Sequence, residues 1–197
     1  MSESELERAR SFRFDRDRNR YVAARSILRE LLGAALGCAP AVVPIRTGTA
    51  GAPLPIDDLY FNLSHSGDLA GFALVRGRRV GIDVELPRTG VEPVAAAFHP
   101  LERARIAQAP AAARDREVLR YWTAKEAYLK ALGVGLLRPL DAFSVDLDAE
   151  GGPVLVDAAP PSGSGDDWEL HELAAPRGAL AALVVERRGR AKRRRPS

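Results

Sequence analysis

The segment VGIDVE, residues 80–85, alternates apolar and polar side chains and decides how the centre of this chain folds. Its three valine and isoleucine residues fall at every second position, which is the period of a β-strand. Strand geometry then puts Asp83 and Glu85 together on the opposite face, beside Gly81. Two neighbouring carboxylates indicate either a face in contact with water or a cation bound between them.

Two further strand patterns precede this segment, LYFNLSH (59–65) and LAGFALV (69–75). Ser66, Gly67 and Asp68 separate them as a turn, and Arg76-Gly77 predicts a second tight turn before residue 79. We therefore interpret VGIDVE as the second arm of a hairpin whose first arm is LAGFALV.

The two halves of the chain show a similar succession of a helix and several strands. Apolar residues at helical spacing predict helices over 18–36 and 115–132, and each helix is followed directly by a glycine. Strand patterns follow the second helix at residues 142–147, 153–156, 168–173 and 179–186. This repetition predicts an α+β fold of two similar units, 1–85 and 86–188, with a site in the crevice between them. Residues 189–197 are predicted to be a disordered basic tail.

A second group of charged residues lies in YWTAKEAYLKALGVGL, residues 121–136. Glu126 and Lys130 are four residues apart and share one helix face. Lys125 falls on the apolar stripe, so its ammonium is expected at the edge of that stripe, either in water or facing an anion. If this helix packs across the strand, Glu126 joins Asp83 and Glu85. Three carboxylates flanked by positively charged side chains would form a binding site for Mg²⁺ and a diphosphate. Neither of the two segments is specific for such a site by itself.

The composition narrows the class of protein. With 197 residues, 46% hydrophobic and 28% charged, the chain is typical of a globular protein. The single cysteine, Cys38, excludes an internal disulfide. No apolar stretch is long enough to span a bilayer and the first residues are too charged for a signal peptide, so we expect a cytoplasmic protein without a membrane partner.

Three segments in this order, FNLSHSG (61–67), GIDVE (81–85) and WTAKEAYLKALGVGL (122–136), resemble the Sfp-type 4′-phosphopantetheinyl transferases of the holo-acyl/peptidyl-carrier-protein synthase superfamily. The resemblance continues upstream through RFDRDRNRYVAARSILRELLG (13–33) and downstream through FSVDL (143–147). It implies a pseudo-dimer of two similar α+β subdomains, each with a small antiparallel sheet packed on a long helix.

The resemblance also implies a reaction. The phosphopantetheine arm of coenzyme A is moved onto a serine of an apo acyl- or peptidyl-carrier protein, and 3′,5′-ADP is released. Mg²⁺, or Mn²⁺ in its place, is the expected cofactor, and an acidic carrier protein is the expected partner of a monomeric enzyme. Whether the carrier belongs to fatty acid, polyketide or nonribosomal peptide biosynthesis is not specified by the sequence.

The resemblance assigns roles to individual residues. The expected metal ligands are Asp83, Glu85 and Glu126. Lys130 is expected to contact the pyrophosphate and to assist the departure of 3′,5′-ADP. The remaining coenzyme A contacts are assigned to Arg20, Ser64, His65 and Lys125.

The general base that deprotonates the serine has two candidates. Glu102, in FHPLERARIA (98–107), is one, with the alternative that it is only a charge on the helix surface. Glu126 is the other.

One departure from the family pattern concerns the loop before the first motif. Many relatives have Gly-Lys-Pro there, whereas this chain has Gly51-Ala52-Pro53. We expect a lower affinity for coenzyme A, or compensation for the missing positive charge by an arginine such as Arg46. Relatives also usually begin with an additional strand, which this sequence lacks.

Two other functions compete with the transferase. The arginine-rich segments at both ends, within a net charge of +3, are typical of nucleic-acid-binding proteins. However, the expected partners do not include nucleic acid, because the N-terminal helix uses an aromatic residue, Tyr21, on its apolar stripe and not for base stacking. A metal-dependent phosphohydrolase would use the same carboxylates with water as the nucleophile.

Overall fold

The computed structural model describes residues 1–48, 51–157 and 167–188. The chain packs as two compact units, Met1–Arg46 and Thr47–Ser197. The predicted organisation into similar halves of residues 1–85 and 86–188 divides the chain elsewhere and stays a prediction. The predicted disordered tail, residues 189–197, lies outside the described residues.

The first unit consists of two helices and a short 3₁₀ turn. Helix α1 spans Glu3–Arg10, α2 spans Asp15–Leu36, and the turn spans Pro40–Val42. Ser2 and Glu5 cap the start of α1 reciprocally, and α2 ends at Gly37 in the left-handed conformation. The predicted helix over 18–36 is thus confirmed with one additional turn at its start.

A buried ion pair joins the two helices of this unit. Arg29 on α2 is 3% exposed and donates to a carboxylate oxygen of Glu5 at 2.7 Å. Its guanidinium also donates to the backbone oxygens of Pro40 and Val43 at 2.8 and 3.1 Å. The arginine therefore satisfies carbonyls of the turn that follows α2.

The second unit contains the strands and two more helices. Strands β1, β2 and β3 span Leu59–Ser66, Leu69–Arg76 and Val80–Glu85. A 3₁₀ segment at Glu92–Ala97 leads to helices α3, Pro100–Gln108, and α4, Ala111–Leu132. The later strands, each within or close to a predicted segment, are β4 (Phe143–Asp146), β5 (Val154–Asp157), β6 (Trp168–Leu173) and β7 (Leu180–Glu186).

The strands pair in three antiparallel groups within the described residues. β1 pairs with β2, β4 pairs with β5, and β7 lies between β3 and β6. The α+β class is confirmed, because these sheets pack with α3 and α4. Helix α4 begins at Ala111, earlier than predicted, because Pro110 precedes a run of alanines that favours helix.

The predicted hairpin of VGIDVE with LAGFALV is wrong. β3 forms its backbone ladder with β7, where Val80 is opposite Val185 and Asp83 is opposite Ala182. The turn residues predict only that the chain reverses, and they do not choose the hydrogen-bonding partner. The partner is a strand about a hundred residues later, whose side chains complete the core around α4.

Strand β3 is buried on both faces. Its apolar side chains pack with Ala73 on β2 and Val185 on β7. The opposite face meets helix α4, and Asp83 on that face is only 4% exposed. The interpretation of this face as one in contact with water is therefore excluded.

Candidate active site

The site begins with the direct contact between strand β3 and helix α4. A Cβ atom at Gly81 would overlap the carbonyl oxygen of Ala127 and the amide nitrogen of Ala131. Only glycine lets the helix backbone lie on the strand at this distance. Helix α4 therefore fills the space beside Gly81, and this contact brings Lys130 beside Asp83.

Lys130, Asp83 and Ser64 form a hydrogen-bonded cluster from three elements. The Lys130 ammonium lies 2.6 Å from Asp83 Oδ1 and donates to Ser64 Oγ at 3.0 Å. The Ser64 hydroxyl donates to the same Asp83 oxygen at 2.8 Å. The side chain of Lys130 is 26% exposed and that of Asp83 is 6% exposed, so the cluster reaches the surface through the lysine.

Two carboxylate oxygens of the site are buried and have no hydrogen-bond partner among the described residues, Asp83 Oδ2 and Glu126 Oε1. Burial raises the pKa of Asp83, although Lys130 opposes the shift. Burial also raises the pKa of Glu126, and the negative charges of Asp83 and Glu85 add to this increase. Unpartnered carboxylate oxygens that repel each other are a favourable environment for a divalent cation, so Asp83 and Glu126 fit Mg²⁺ or Mn²⁺.

Glu85 has a different environment. Arg88 donates to Glu85 Oε2 at 2.6 Å, and the Ser66 hydroxyl donates to the same oxygen at 2.9 Å. In the described part of the chain, no three side chains among His, Cys, Asp and Glu come together in the geometry of a metal site. The full ligand set of Asp83, Glu85 and Glu126 therefore stays a prediction.

Lys125 does not reach the edge of the apolar stripe, so its expected position is wrong, although its ammonium does face an anion, the carboxylate of Glu102. It is completely buried, and its ammonium donates to the carbonyl oxygens of Leu140 and Phe143 at 2.8 Å each. It also lies 2.8 Å from Glu102 Oε1 and 4.0 Å from the centre of the Phe143 ring. The side chain of Lys125 is 0% exposed, whereas that of Lys130 is 26% exposed, so Lys125 acts within the core and its assignment to coenzyme A gains no support.

Glu102 is buried in the same place, and its interpretation as a surface charge is wrong. It is 1% exposed and accepts the amide protons of His99 at 3.0 Å and Val145 at 2.8 Å, besides pairing with Lys125. A general base has to reach its substrate by a hydrogen bond, either directly or through one water. The enclosed carboxylate of Glu102 lacks that access, so its catalytic role stays a prediction that this geometry does not favour.

The other two predicted ligands of coenzyme A are placed as follows. His65 is exposed on β1, next to the buried Ser64. Arg20 lies on α2 of the first unit, where it interacts with Asp17. Their contacts with coenzyme A stay predictions.

A cavity of about 310 Å³ adjoins Lys130. Its walls come from Gly48, residues 52–55, the strands β1 and β3, and the end of α4, and they include Asn62. Arg79 also contributes, but it is engaged by a two-point ion pair with Glu186. Lys130 is therefore shared between the cavity and the carboxylate cluster.

Ser66 and Arg88 are the residues of this site that sequence reasoning missed. The available signal was the alternation of Ser64 and Ser66 on β1, which matches the alternation of Asp83 and Glu85 on β3. Because the sequence does not show that β1 packs alongside β3, it did not show that the two alternations meet.

Comparison with known proteins decides the family. The family model described as the 4′-phosphopantetheinyl transferase superfamily matches residues 79–183. The 4′-phosphopantetheinyl transferase HetI of a Nostoc species is 36% identical over 193 residues, which cover 94% of this chain and 78% of that protein. The chain belongs to the 4′-phosphopantetheinyl transferase superfamily.

A second sequence relative agrees with the assignment. A phosphopantetheinyl transferase of a Thraustochytrium species is 34% identical over 80% of this chain and 61% of its own length. A holo-acyl-carrier-protein synthase of Bacillus anthracis, solved in complex with CoA (3′,5′-ADP), has a TM-score of 0.42 and 22% identity over 54% of this chain and 93% of its own. The family model and the Nostoc and Thraustochytrium relatives confirm the predicted family and enzyme class.

None of the helices within residues 1–48, 51–157 and 167–188 is both long and apolar enough to cross a bilayer.

Proposed function

We propose that this transferase moves the phosphopantetheine arm of coenzyme A onto a serine of an apo acyl- or peptidyl-carrier protein and releases 3′,5′-ADP. The position of Lys130 carries the proposal, because this lysine lines the cavity and also contacts Asp83. The family supports phosphopantetheine as the transferred group.

Lys130 is the residue that we assign to the diphosphate of coenzyme A. The nucleotide end of the cofactor would enter the cavity, and its diphosphate would meet the ammonium at the cavity wall. The serine oxygen forms a bond to the phosphorus of the phosphopantetheine, and the bond from this phosphorus to the bridging oxygen breaks. Lys130 stabilises the negative charge that develops on the departing 3′,5′-ADP.

Asp83 and Glu126 are the residues that would hold the divalent cation. A bound Mg²⁺ or Mn²⁺ would polarise the phosphate oxygens and offset their charge. The unpartnered oxygens of these two carboxylates support the assignment. Glu85 would complete the set if Arg88 released it.

Glu126 is the general base that the geometry favours over Glu102. Glu126 lies in the cluster with Asp83 and Lys130, whereas Glu102 is 1% exposed and paired with Lys125. A general base has to come within reach of its substrate, and this cluster is the part of the site that lies beside the cavity. The proton lost by the carrier serine would pass to this group.

The remaining assignments belong to the same proposal. Arg20 and His65 would contact coenzyme A, and the carrier protein would be acidic, because a protein with basic segments attracts such a partner. The two similar halves, the monomeric state and the cytoplasmic location are expectations from the sequence that belong to the same proposal, because the geometry of the site does not bear on them.

Mass spectrometry of an apo carrier protein tests the proposal. The carrier is incubated with coenzyme A, Mg²⁺ and the enzyme, and the expected result is a gain of one phosphopantetheine group that EDTA prevents. Release of 3′,5′-ADP without a modified carrier would instead identify a phosphohydrolase. A carrier that stays unmodified when several apo carriers are tried would contradict the proposal.

A further inference from the structure

Strand β3 has an unusual partner along the edge that does not face β7. Side chains of β1 take the place of backbone carbonyls there and accept three amide protons of the β3 segment. The pairs are Asn62 with Ile82 at 3.2 Å, Ser64 with Val84 at 3.3 Å, and Ser66 with Leu86 at 3.1 Å. The constant offset of 20 residues shows that β1 and β3 run in the same direction.

The two serines of this row also donate to the carboxylates of β3. Ser64 Oγ donates to Asp83 Oδ1 at 2.8 Å, and Ser66 Oγ donates to Glu85 Oε2 at 2.9 Å. A hydroxyl has one proton to donate. Each serine therefore fixes a carboxylate by means of an oxygen that is itself held by the backbone of the same strand.

Ser64 uses its complete hydrogen-bonding capacity in this way. It donates to Asp83 and accepts from the amide of Val84 and the ammonium of Lys130. A hydroxyl offers one donor and two acceptor positions. Since Ser64 is also only 6% exposed, it could contact a phosphate only by giving up one of these bonds.

The two carboxylate oxygens of Asp83 consequently have different surroundings. Oδ1 receives the hydroxyl of Ser64 and the ammonium of Lys130, whereas Oδ2 has no partner among the described residues. Rotation of the carboxylate would break both bonds to Oδ1. Oδ2 is therefore held in one position and left for a cation.

We propose that Ser64 is a positioning residue, which fixes the Asp83 carboxylate for cation binding and does not itself contact coenzyme A. The inference rests on the proposed function, in which Asp83 is a ligand of the divalent cation. Partners that orient a metal ligand in this way typically change metal affinity about 10–100-fold when they are removed.

The test is a titration with Mn²⁺ alone, followed by electron paramagnetic resonance of the free ion in the absence of coenzyme A. Ser64→Ala is expected to raise the dissociation constant for Mn²⁺ about 10–100-fold, and Ser64→Thr, which keeps the hydroxyl, is expected to recover most of the affinity. Ser144→Ala removes another buried serine hydroxyl, on β4, and serves as the control that leaves Mn²⁺ binding unchanged.

A second measurement separates positioning from direct contact. At saturating Mn²⁺, coenzyme A should bind Ser64→Ala as tightly as it binds the wild type. A loss of coenzyme A affinity with unchanged Mn²⁺ affinity would overturn the inference and return Ser64 to the phosphate. If Ser64→Ala does not fold, Ser64→Cys has the same expectation, because it fills the site but donates only weakly.

The behaviour of the wild type shows whether a negative result contradicts only the role of Ser64 or the proposed function as well. If the wild type binds Mn²⁺ and modifies a carrier while Ser64→Ala binds Mn²⁺ equally well, only the role of Ser64 is wrong. If the wild type neither binds Mn²⁺ nor modifies a carrier, the proposed function fails and the inference fails with it.

Discussion

Lys125 and Glu126 are neighbours in the sequence, yet they belong to different parts of the molecule. Successive helical residues point about 100° apart, so one side chain enters the core and the next faces β3. Lys125 is fully enclosed with Glu102, and burial lowers the pKa of Lys125 while it raises that of Glu102. The mutual attraction of the pair opposes both shifts. The pair therefore connects α4 with α3. Glu126 is not part of this pair and remains available to the active site.

Variants of the buried pair of Glu102 and Lys125 test whether Glu102 has a structural or a catalytic role. Glu102→Gln leaves a buried ammonium without its carboxylate and should lower the free energy of unfolding by about 3–5 kcal/mol. In a double-mutant cycle with Lys125→Met, we expect a coupling of about 0.5–3 kcal/mol, measured by urea unfolding.

The catalytic rate per folded molecule of the double variant completes this test. If Glu102 only supports α4, the rate should stay within a few-fold of the wild type. A loss of about 100-fold or more in a well-folded double variant would instead show that the Glu102–Lys125 pair takes part in catalysis, which would return Glu102 as a candidate for the general base.

Ala52 gives a second prediction at the level of one residue. It lines the cavity beside Lys130 at the position where many relatives have lysine. Ala52→Lys should tighten coenzyme A binding about tenfold, the equivalent of roughly 1.5 kcal/mol for one charged hydrogen bond. Isothermal titration calorimetry measures this, with Ala112→Lys on the exposed start of α4 as the charge-matched control. Equal affinities for both variants would contradict the prediction.

Among the elements, α4 shows how a single helix connects the parts of the second unit. Its first half is bound to the loop after β3, because Asp115 accepts amide protons of Gly90 at 2.9 Å and Val91 at 2.8 Å. Its second half lies on β3 at Gly81. Both connections define where the helix lies along the strand, and therefore where Glu126 and Lys130 meet Asp83.

Asp115 gives a prediction of pH dependence. The amide protons of Gly90 and Val91 hold the pKa of Asp115 below its ordinary value of 3.8. A lowered pKa in the folded state contributes stability that is present above pH 3.8 and is lost as the pH falls through the folded-state pKa.

Urea unfolding of the wild type and Asp115→Asn over a series of pH values measures this contribution. The wild type should be the more stable protein near neutral pH, and the difference should narrow below pH 3.8. A difference that stays constant down to the acid limit would show that the charge of Asp115 has no part in it.

At the scale of the whole molecule, the site makes the cation-free protein less stable than it would otherwise be. Burial raises the pKa of both Asp83 and Glu126. A raised carboxyl pKa favours the folded state below the ordinary pKa, and this advantage is lost as the pH rises through the folded-state pKa. At neutral pH the ionised carboxylates therefore oppose folding, and a divalent cation should remove that penalty.

Thermal unfolding with and without Mg²⁺ checks this at neutral pH. At a Mg²⁺ concentration of about 100 times its dissociation constant, the wild type should gain about 2.7 kcal/mol. Glu126→Gln should be more stable than the wild type without the cation, should lose the Mg²⁺-dependent gain, and should lose transfer. The exposed Glu30→Gln on α2 should behave as the wild type does. An unchanged Mg²⁺ response in Glu126→Gln would place the cation elsewhere.

The amino-acid sequence by itself determined the strand and helix segments, the family and the two groups of charged residues. These features are local, because periodicity, turn residues and motif spacing are properties of short segments. VGIDVE is a strand, and Lys130 lies one helical turn after Glu126, as the pattern predicted.

Only the tertiary structure decided which segments meet. It paired β3 with β7 and not with β2, it enclosed Glu102 with Lys125, and it placed the serines of β1 on the carboxylates of β3. Each of these contacts joins residues 19 or more apart, and each depends on burial and on hydrogen-bond partners that lie far away along the chain. A local pattern states which side chains share a face, but the packing of distant segments decides what that face touches.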